Sequence, residues 1–118
     1  MRQSTLHRRR ALFDEAVGEI ERGYARSDLS LSSVARSIAT SRRQLQRVLS
    51  EHGTSFRQEL QRARMTRAAE LLRDGTLPVS TVARAVGYRQ PAQFSKAFRR
   101  HHGRPPSELR GTGQQLAA

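Results

Sequence analysis

The chain has 118 residues, enough for one small domain or for two very small subdomains sharing an element, and too few to add a separate ligand-sensing domain. Hydrophobic residues make up 36% and charged residues 27%, which excludes a disordered chain, and no apolar run approaches the roughly 20 residues of a membrane span. Twenty-two basic side chains against ten acidic ones give a net charge of +12, and the absence of cysteine excludes disulfides, thiolate catalysis and Cys-based zinc sites.

A charge excess of this size repels itself unless a polyanion is near, and the common polyanion is nucleic acid. All the basic residues except Lys96 are arginines, whose planar fork suits two-pronged contacts to phosphate and to guanine. Residues Met1 to Leu12 are Arg-rich but lack the apolar stretch of a signal peptide, so a cytoplasmic, nucleoid-associated protein is expected.

The pattern reads as all-α, with about seven helices. Residues 1–9 form a basic N-terminal tail. A first helix follows from Arg10 to Tyr24, with Leu12, Phe13, Ala16, Val17, Ile20 and Tyr24 on one apolar stripe. Gly18 lies inside it at a cost of about 1 kcal/mol against Ala. Ser30 caps a short helix from Leu31 to Ile38, and Ser41 caps the next, which runs to about Glu51 with Leu45, Val48 and Leu49 inward. Gly53 ends that helix.

A long helix is predicted from Ser55 to Arg73, stopped by Asp74-Gly75. A short helix from Val79 to Val86 comes next, Gly87 makes a turn, and a sixth helix spans about Gln90 to Arg100. Pro91 is tolerated there as a first-turn residue. Gly103 to Pro106 breaks the chain before a last helix, Ser107 to Arg110, and residues 111–118 read as a flexible tail. The organisation is thus a subdomain over 10–54, a linker helix over 55–73 and a second subdomain over 74–110.

The two subdomains are copies. Val34-Ala35-Arg36-Ser37-Ile38-Ala39 matches Val82-Ala83-Arg84-Ala85-Val86-Gly87 at an offset of 48. Beyond the turn the offset becomes 49, pairing Leu45 with Phe94, Arg47 with Lys96 and Leu49 with Phe98. Each copy is a short helix, a tight turn and a second helix with a polar face. That is the helix-turn-helix plan, in which the second helix enters the major groove and the first braces it across the backbone.

Helix-turn-helix geometry also occurs in proteins that never touch DNA. Here the plan occurs twice on a strongly basic chain, and the exposed faces carry suitable chemistry. Arg42, Arg43, Gln46 and Arg47 crowd the front of the first reader; Gln90, Gln93, Ser95 and Lys96 crowd that of the second. Arg can bond two atoms of guanine and Gln two atoms of adenine. No acid falls between Ser41 and Ser50 or between Gln90 and Arg100, whereas a face kept only for solubility commonly mixes Glu with Lys. The nineteen residues from Ser55 to Arg73 span roughly 28 Å as a helix. Adjacent major-groove segments on one face lie about 34 Å apart, so one chain can address two half-sites as a monomer.

Leu77-Pro-Val-Ser-Thr-Val-Ala-Arg-Ala-Val-Gly-Tyr88, Phe94-Ser-Lys-Ala-Phe-Arg-Arg100 and Gly103-Arg-Pro-Pro-Ser-Glu-Leu-Arg110 resemble the signature of the AraC/XylS family of transcriptional regulators. Leu45-Gln-Arg-Val-Leu49 and Gly53-Thr-Ser-Phe56 resemble its first recognition helix and the entry to its linker helix, so the likeness covers about residues 10 to 110. The chain is similar to the short, MarA/SoxS-like stand-alone members in lacking a sensing domain. The resemblance implies double-stranded DNA as partner, monomeric binding, contact with RNA polymerase and, most often, activation. It places Arg43, Gln46 and Arg47 at base-reading positions of the first recognition helix, and Ala92, Gln93, Ser95 and Lys96 at or beside those of the second.

The chain departs from the family pattern in three places. Ala39 and Thr40 stand where the family has Gly and a large apolar residue, so Ala39 must adopt a left-handed backbone or change the turn. Leu60 and Leu109 stand where aromatics are common, and both are expected to fill core. Pro91 and Ala92 leave little hydrogen-bonding capacity at the front of the second reader, so the Arg-rich first helix is expected to supply more of the specificity.

Adjacent His101 and His102 point to different faces and do not chelate as a helical pair, and His7 and His52 are isolated, so neither metal nor cofactor is expected. No nucleophile–base arrangement, carboxylate pair or phosphate-binding Gly loop stands out, which argues against an enzyme, and no small-molecule ligand is expected. A start at Met1 with a tail at each end favours a stand-alone regulator over the DNA-binding part of a larger ligand-responsive one. A module recruited mainly through RNA polymerase is a further alternative. An RNA role is disfavoured because Phe and Tyr fall at core spacing instead of on a stacking surface.

Overall fold

The computed structural model describes residues 2–112, and among these the chain forms seven helices and no strand. They are α1 (Arg2–Gly23), α2 (Leu31–Ser37), α3 (Arg42–Glu51), α4 (Phe56–Asp74), α5 (Val79–Ala85), α6 (Pro91–His102) and α7 (Pro106–Leu109). The expected all-α architecture of two helix-turn-helix subdomains and a long connecting helix is the one formed. Most of the tail expected over 111–118 lies outside the described residues.

One boundary differs substantially from expectation. The first helix begins at Arg2, not at Arg10, so the segment read as a basic tail is helical as far as it is described. Residues 2–10 contain neither Gly nor Pro and are rich in Arg, a good helix former, so nothing in them breaks the turn that α1 propagates backward. One tertiary contact reaches this segment: the Arg9 guanidinium lies 3.5 Å from the Glu51 carboxylate at the end of α3. Gly18 does not interrupt α1, and a Cβ there would meet the Arg22 guanidinium at 3.2 Å.

Two compact units divide the chain within α4. The first holds α1, α2, α3 and the start of α4. Its core is Ala16, Ile20, Val34, Ala35, Leu45, Val48 and Leu49, all at most 2% exposed. Each large apolar side chain buried this way contributes roughly 1.5–3 kcal/mol. Phe13 is half-buried and stacks face to face on His52, with ring centroids 3.9 Å apart and planes 6° from parallel. Glu59 is the one buried charged residue among those described, and it accepts a 2.6 Å hydrogen bond from the Thr54 hydroxyl.

The second unit comprises residues 62 onward together with 25–27. Met65, Ala68, Ala69 and Leu72 from α4 pack in a core with Val82, Ala83, Val86, Phe94, Phe98 and Leu109. Tyr88, Phe94 and Phe98 form a run of ring contacts 5.6 and 5.7 Å between centroids. His102 continues the run against Phe98 at 4.4 Å, and its Nε2 lies 3.0 Å from the Met65 carbonyl. Arg64 lies over the Tyr88 ring at 5.4 Å and donates to the Arg26 carbonyl; burial lowers its pKa, with Tyr88 opposing the shift. Leu109 fills core as expected, whereas Leu60, expected to do the same, is only half-buried.

Candidate functional site

The two units repeat one turn, bond for bond. In the first, Ile38 N–H donates to Val34 O, Ala39 N–H to Arg36 O and Thr40 N–H to Ala35 O. In the second, Val86 donates to Val82, Gly87 to Arg84 and Tyr88 to Ala83. The last two bonds of each set form the 6→1 and 5→2 pair that closes a helix whose next residue is left-handed. Both residues that must be left-handed are: Ala39 has φ 56° and Gly87 φ 100°. Ala39 therefore keeps the turn and takes the unfavourable backbone. The second helix of each unit consequently leaves the first by the same local route.

The entry to α3 is built from side chains. Ser41 Oγ accepts from Gln44 N–H at 3.1 Å, and the Thr40 hydroxyl donates to Gln44 Oε1 at 3.1 Å. Two bonds thus fix the first turn on which Arg42 and Arg43 stand. An N-cap of this kind contributes about 1 kcal/mol. At the other end, His52 Nδ1 lies 2.8 Å from Val48 O, and Phe13 covers the ring. Sequence periodicity gave no sign of the Arg9–Glu51 and Phe13–His52 contacts, which join residues about forty apart along the chain.

The inward side of α3 is Leu45, Val48 and Leu49; Arg42, Arg43, Gln46 and Arg47 are all exposed. Residues 43, 46, 47 and 50 follow helical spacing, so the cations and the amide share one stripe. Exposed amide and guanidinium groups of this kind can bond base edges or phosphates, and no carboxylate sits on the helix before Glu51 to compete for them.

The entry to α6 differs. Gln90 is the N-cap but makes no side-chain cap bond, and Pro91 occupies the first turn as expected. Phe94 and Phe98 point into the core, while Gln90, Ala92, Gln93 and Lys96 are exposed. Ser95 is half-buried beside Phe94, which withdraws it from the outer face that the other four share. Arg100, not among the residues expected from the sequence, stands four residues beyond Lys96 and extends the exposed stripe. Cations in the last turn of α6, Arg99 and Arg100 among them, also face the negative end of the helix dipole. His101, in the same turn, has its pKa lowered by burial first and by His102 and Arg62 next.

Among the described residues no group of three or more His, Asp or Glu side chains could hold a metal ion. No helix among them is long and apolar enough to cross a membrane.

The family described as "Helix-turn-helix domain" matches residues 34–112, a stretch that begins in α2 and takes in both repeats. The C-terminal domain of AraT, a response regulator from Geobacillus stearothermophilus, superposes with a TM-score of 0.80 at 37% identity, covering 86% of this chain and 84% of that one. A Chromobacterium violaceum regulator with an AraC-type DNA-binding domain superposes with a TM-score of 0.81 at 28% identity, over 90% and 95%. The chain belongs to the AraC-type helix-turn-helix family. Members of this family are DNA-binding domains of bacterial transcription regulators, not enzymes, and double-stranded DNA is the partner of the AraC-type domain.

Among curated relatives, an HTH-type transcriptional regulator of Mycobacterium tuberculosis is 42% identical over 84 residues, which are 71% of this chain and 24% of that protein. The RCS-specific HTH-type transcriptional activator RclR of Escherichia coli is 39% identical over 95 residues, 80% of this chain and 33% of RclR. The chain spans between about a quarter and a third of the length of these relatives.

Proposed function

We propose that this AraC-type domain binds specific sequences in double-stranded DNA by inserting α3 and α6 into major-groove segments, and that it activates transcription. The observation that carries the reading is the outer face of α3. Arg42, Arg43, Gln46 and Arg47 are exposed together, free of acids, on a helix whose first turn is fixed by Ser41 and Thr40. Arg43, Gln46 and Arg47 are the base-reading residues of this helix, and Arg42 serves phosphate or base.

On α6 the corresponding group is Gln90, Ala92, Gln93, Ser95 and Lys96. The half-burial of Ser95 and the methyl side chain of Ala92 support a lesser share for this helix. Ala92 suits an apolar contact such as a thymine methyl. The role of RclR as an activator supports activation, with RNA polymerase as a further partner of the bound domain. The protein acts as a monomer in the cytoplasm.

The test is a gel-shift and fragment-selection experiment with the purified protein and no polymerase. Sequence-selective retention by the protein alone is expected. Retention only when polymerase is present would instead assign it as a polymerase-recruited module.

A second reading makes this chain the DNA-binding part of a larger, ligand-responsive regulator. The modest share of each curated relative that it spans favours that reading.

A further inference from the structure

An open groove of about 490 Å³ lies in the first unit along the flank of α3. Its apolar floor is Leu31 at the start of α2, Leu49 of α3 and Phe56 at the start of α4. Its polar rim is Gln46 and Ser50 of α3 and Arg57 of α4. Gln46 therefore belongs both to this groove and to the outer face of α3, so the two surfaces are continuous.

From this continuity the geometry points to a subsite for one sugar–phosphate unit of the DNA backbone, with Arg57 as its phosphate ligand. The inference rests on the reading of α3 as a recognition helix. A helix in the major groove has a phosphate strand passing along each flank, and a surface continuous with its reading face meets that strand. The chemistry is complementary in both halves. An apolar floor accommodates a deoxyribose, which an ion-binding site would not need. The guanidinium at the rim matches a phosphate with two parallel N–H···O bonds.

Arg57 is exposed, and among the described residues no ion pair engages it. Thr54, which also lines the groove, donates its hydroxyl to the buried Glu59 carboxylate. Ser50 stands one turn beyond Gln46 and supplies a hydroxyl to the same phosphate. Arg57 thus positions the domain on the duplex and contributes affinity without sequence discrimination.

The experiment compares wild type, Arg57→Gln, Arg57→Lys and the equal-charge control Arg22→Gln on a duplex recovered by selection. Affinity is measured across a salt series and on duplexes carrying one neutral methylphosphonate at a time. Arg57→Gln is expected to weaken binding several-fold on every sequence alike and to flatten the slope of log affinity against log salt by about one. Arg57→Lys should retain the slope, and Arg22→Gln should leave it unchanged. One phosphate should emerge whose neutralisation harms wild type but not Arg57→Gln.

Equal slopes and identical phosphate profiles for wild type and Arg57→Gln would overturn the subsite while leaving the α3 reading intact. A wild-type protein that selects no duplex would remove both. A loss confined to particular bases would make Arg57 a base reader and overturn its assignment to phosphate.

Discussion

Ala39 and Gly87 close the two helix-turn-helix turns with the same pair of backbone hydrogen bonds and the same left-handed sense of φ, 56° and 100°, though only Gly87 lacks the side chain that opposes it. The left-handed region costs an L-residue roughly 1–2 kcal/mol. The first unit bears that strain at the hinge that aims α3.

Ala39→Gly should therefore stabilise the protein. Relief of strain is offset by the greater freedom of glycine in the unfolded chain, roughly 0.4–1 kcal/mol, leaving a net gain of about 0.5–1 kcal/mol. Thermal unfolding should show a Tm higher by a few degrees, with DNA affinity unchanged because the turn geometry is already the one glycine prefers. Gly87→Ala should move Tm the opposite way. A lower Tm for Ala39→Gly would mean that the strain is not present in solution.

Arg47 and Lys96 occupy matching positions in the two repeats, and the former stands on the more polar and better-capped helix. Arg47→Ala should cost about 1–3 kcal/mol of discrimination at one base pair, the worth of a two-pronged base contact. Lys96→Ala should weaken binding with less loss of discrimination. Competition assays with base-substituted sites measure both; an equal or larger specificity loss for Lys96→Ala would reverse the ranking of the two helices.

Phe13 and His52 bring α1 against the end of α3. Phe13→Ala removes a stacked pair and a half-buried ring, with an expected loss of about 2 kcal/mol, below the roughly 3–5 kcal/mol for a fully buried ring. Denaturant titration gives the value. Amide exchange should also quicken in the last turn of α3, around Val48 to Glu51. Unchanged exchange there would show that α1 only adds bulk to the core.

His101 gives a sign for the pH dependence. Its folded-state pKa lies below the ordinary value of about 6.5, so the unfolded chain binds the proton more readily than the folded one. The second unit should lose a little stability as pH falls below about 6.5, and the loss should level off once the lowered pKa has been passed. His101→Gln should flatten the Tm-versus-pH curve over that range. A curve steeper in the variant than in wild type would contradict the lowered pKa of His101.

Net charge of +12 makes salt the strongest lever on binding. With about six to ten phosphates neutralised, affinity should drop roughly 10³–10⁵-fold between 50 and 200 mM salt. Filter binding or anisotropy across that range tests it, and a flat response would remove the phosphate contacts on which both proposals depend.

Local chemistry made much of this protein legible in its sequence. The spacing of Leu45, Val48 and Leu49, the caps Ser30 and Ser41, the first-turn Pro91 and the turn glycines Gly53, Gly87 and Gly103 each act within a few residues of their own position. So do the duplicated Val-Ala-Arg segments, and with them the exposure of Arg42, Arg43, Gln46 and Arg47. What the sequence left undecided depends on residues brought together from far along the chain. Arg9 meets Glu51, Phe13 covers His52, and a segment that reads as a basic tail forms the first turns of α1. Ala39 holds a backbone it would avoid alone, because the bonds to Ala35 and Arg36 and the packing on either side over-determine it. Ser95 looks as available as Lys96 in the sequence, and only the folded structure shows it half-buried. Arg57 lies on the next helix, beyond the turn at Gly53, yet lines the same groove as Gln46 of the recognition stripe. Short-range geometry is written in neighbouring residues, whereas strain, half-burial and grooves come into being only when separate helices close on one another.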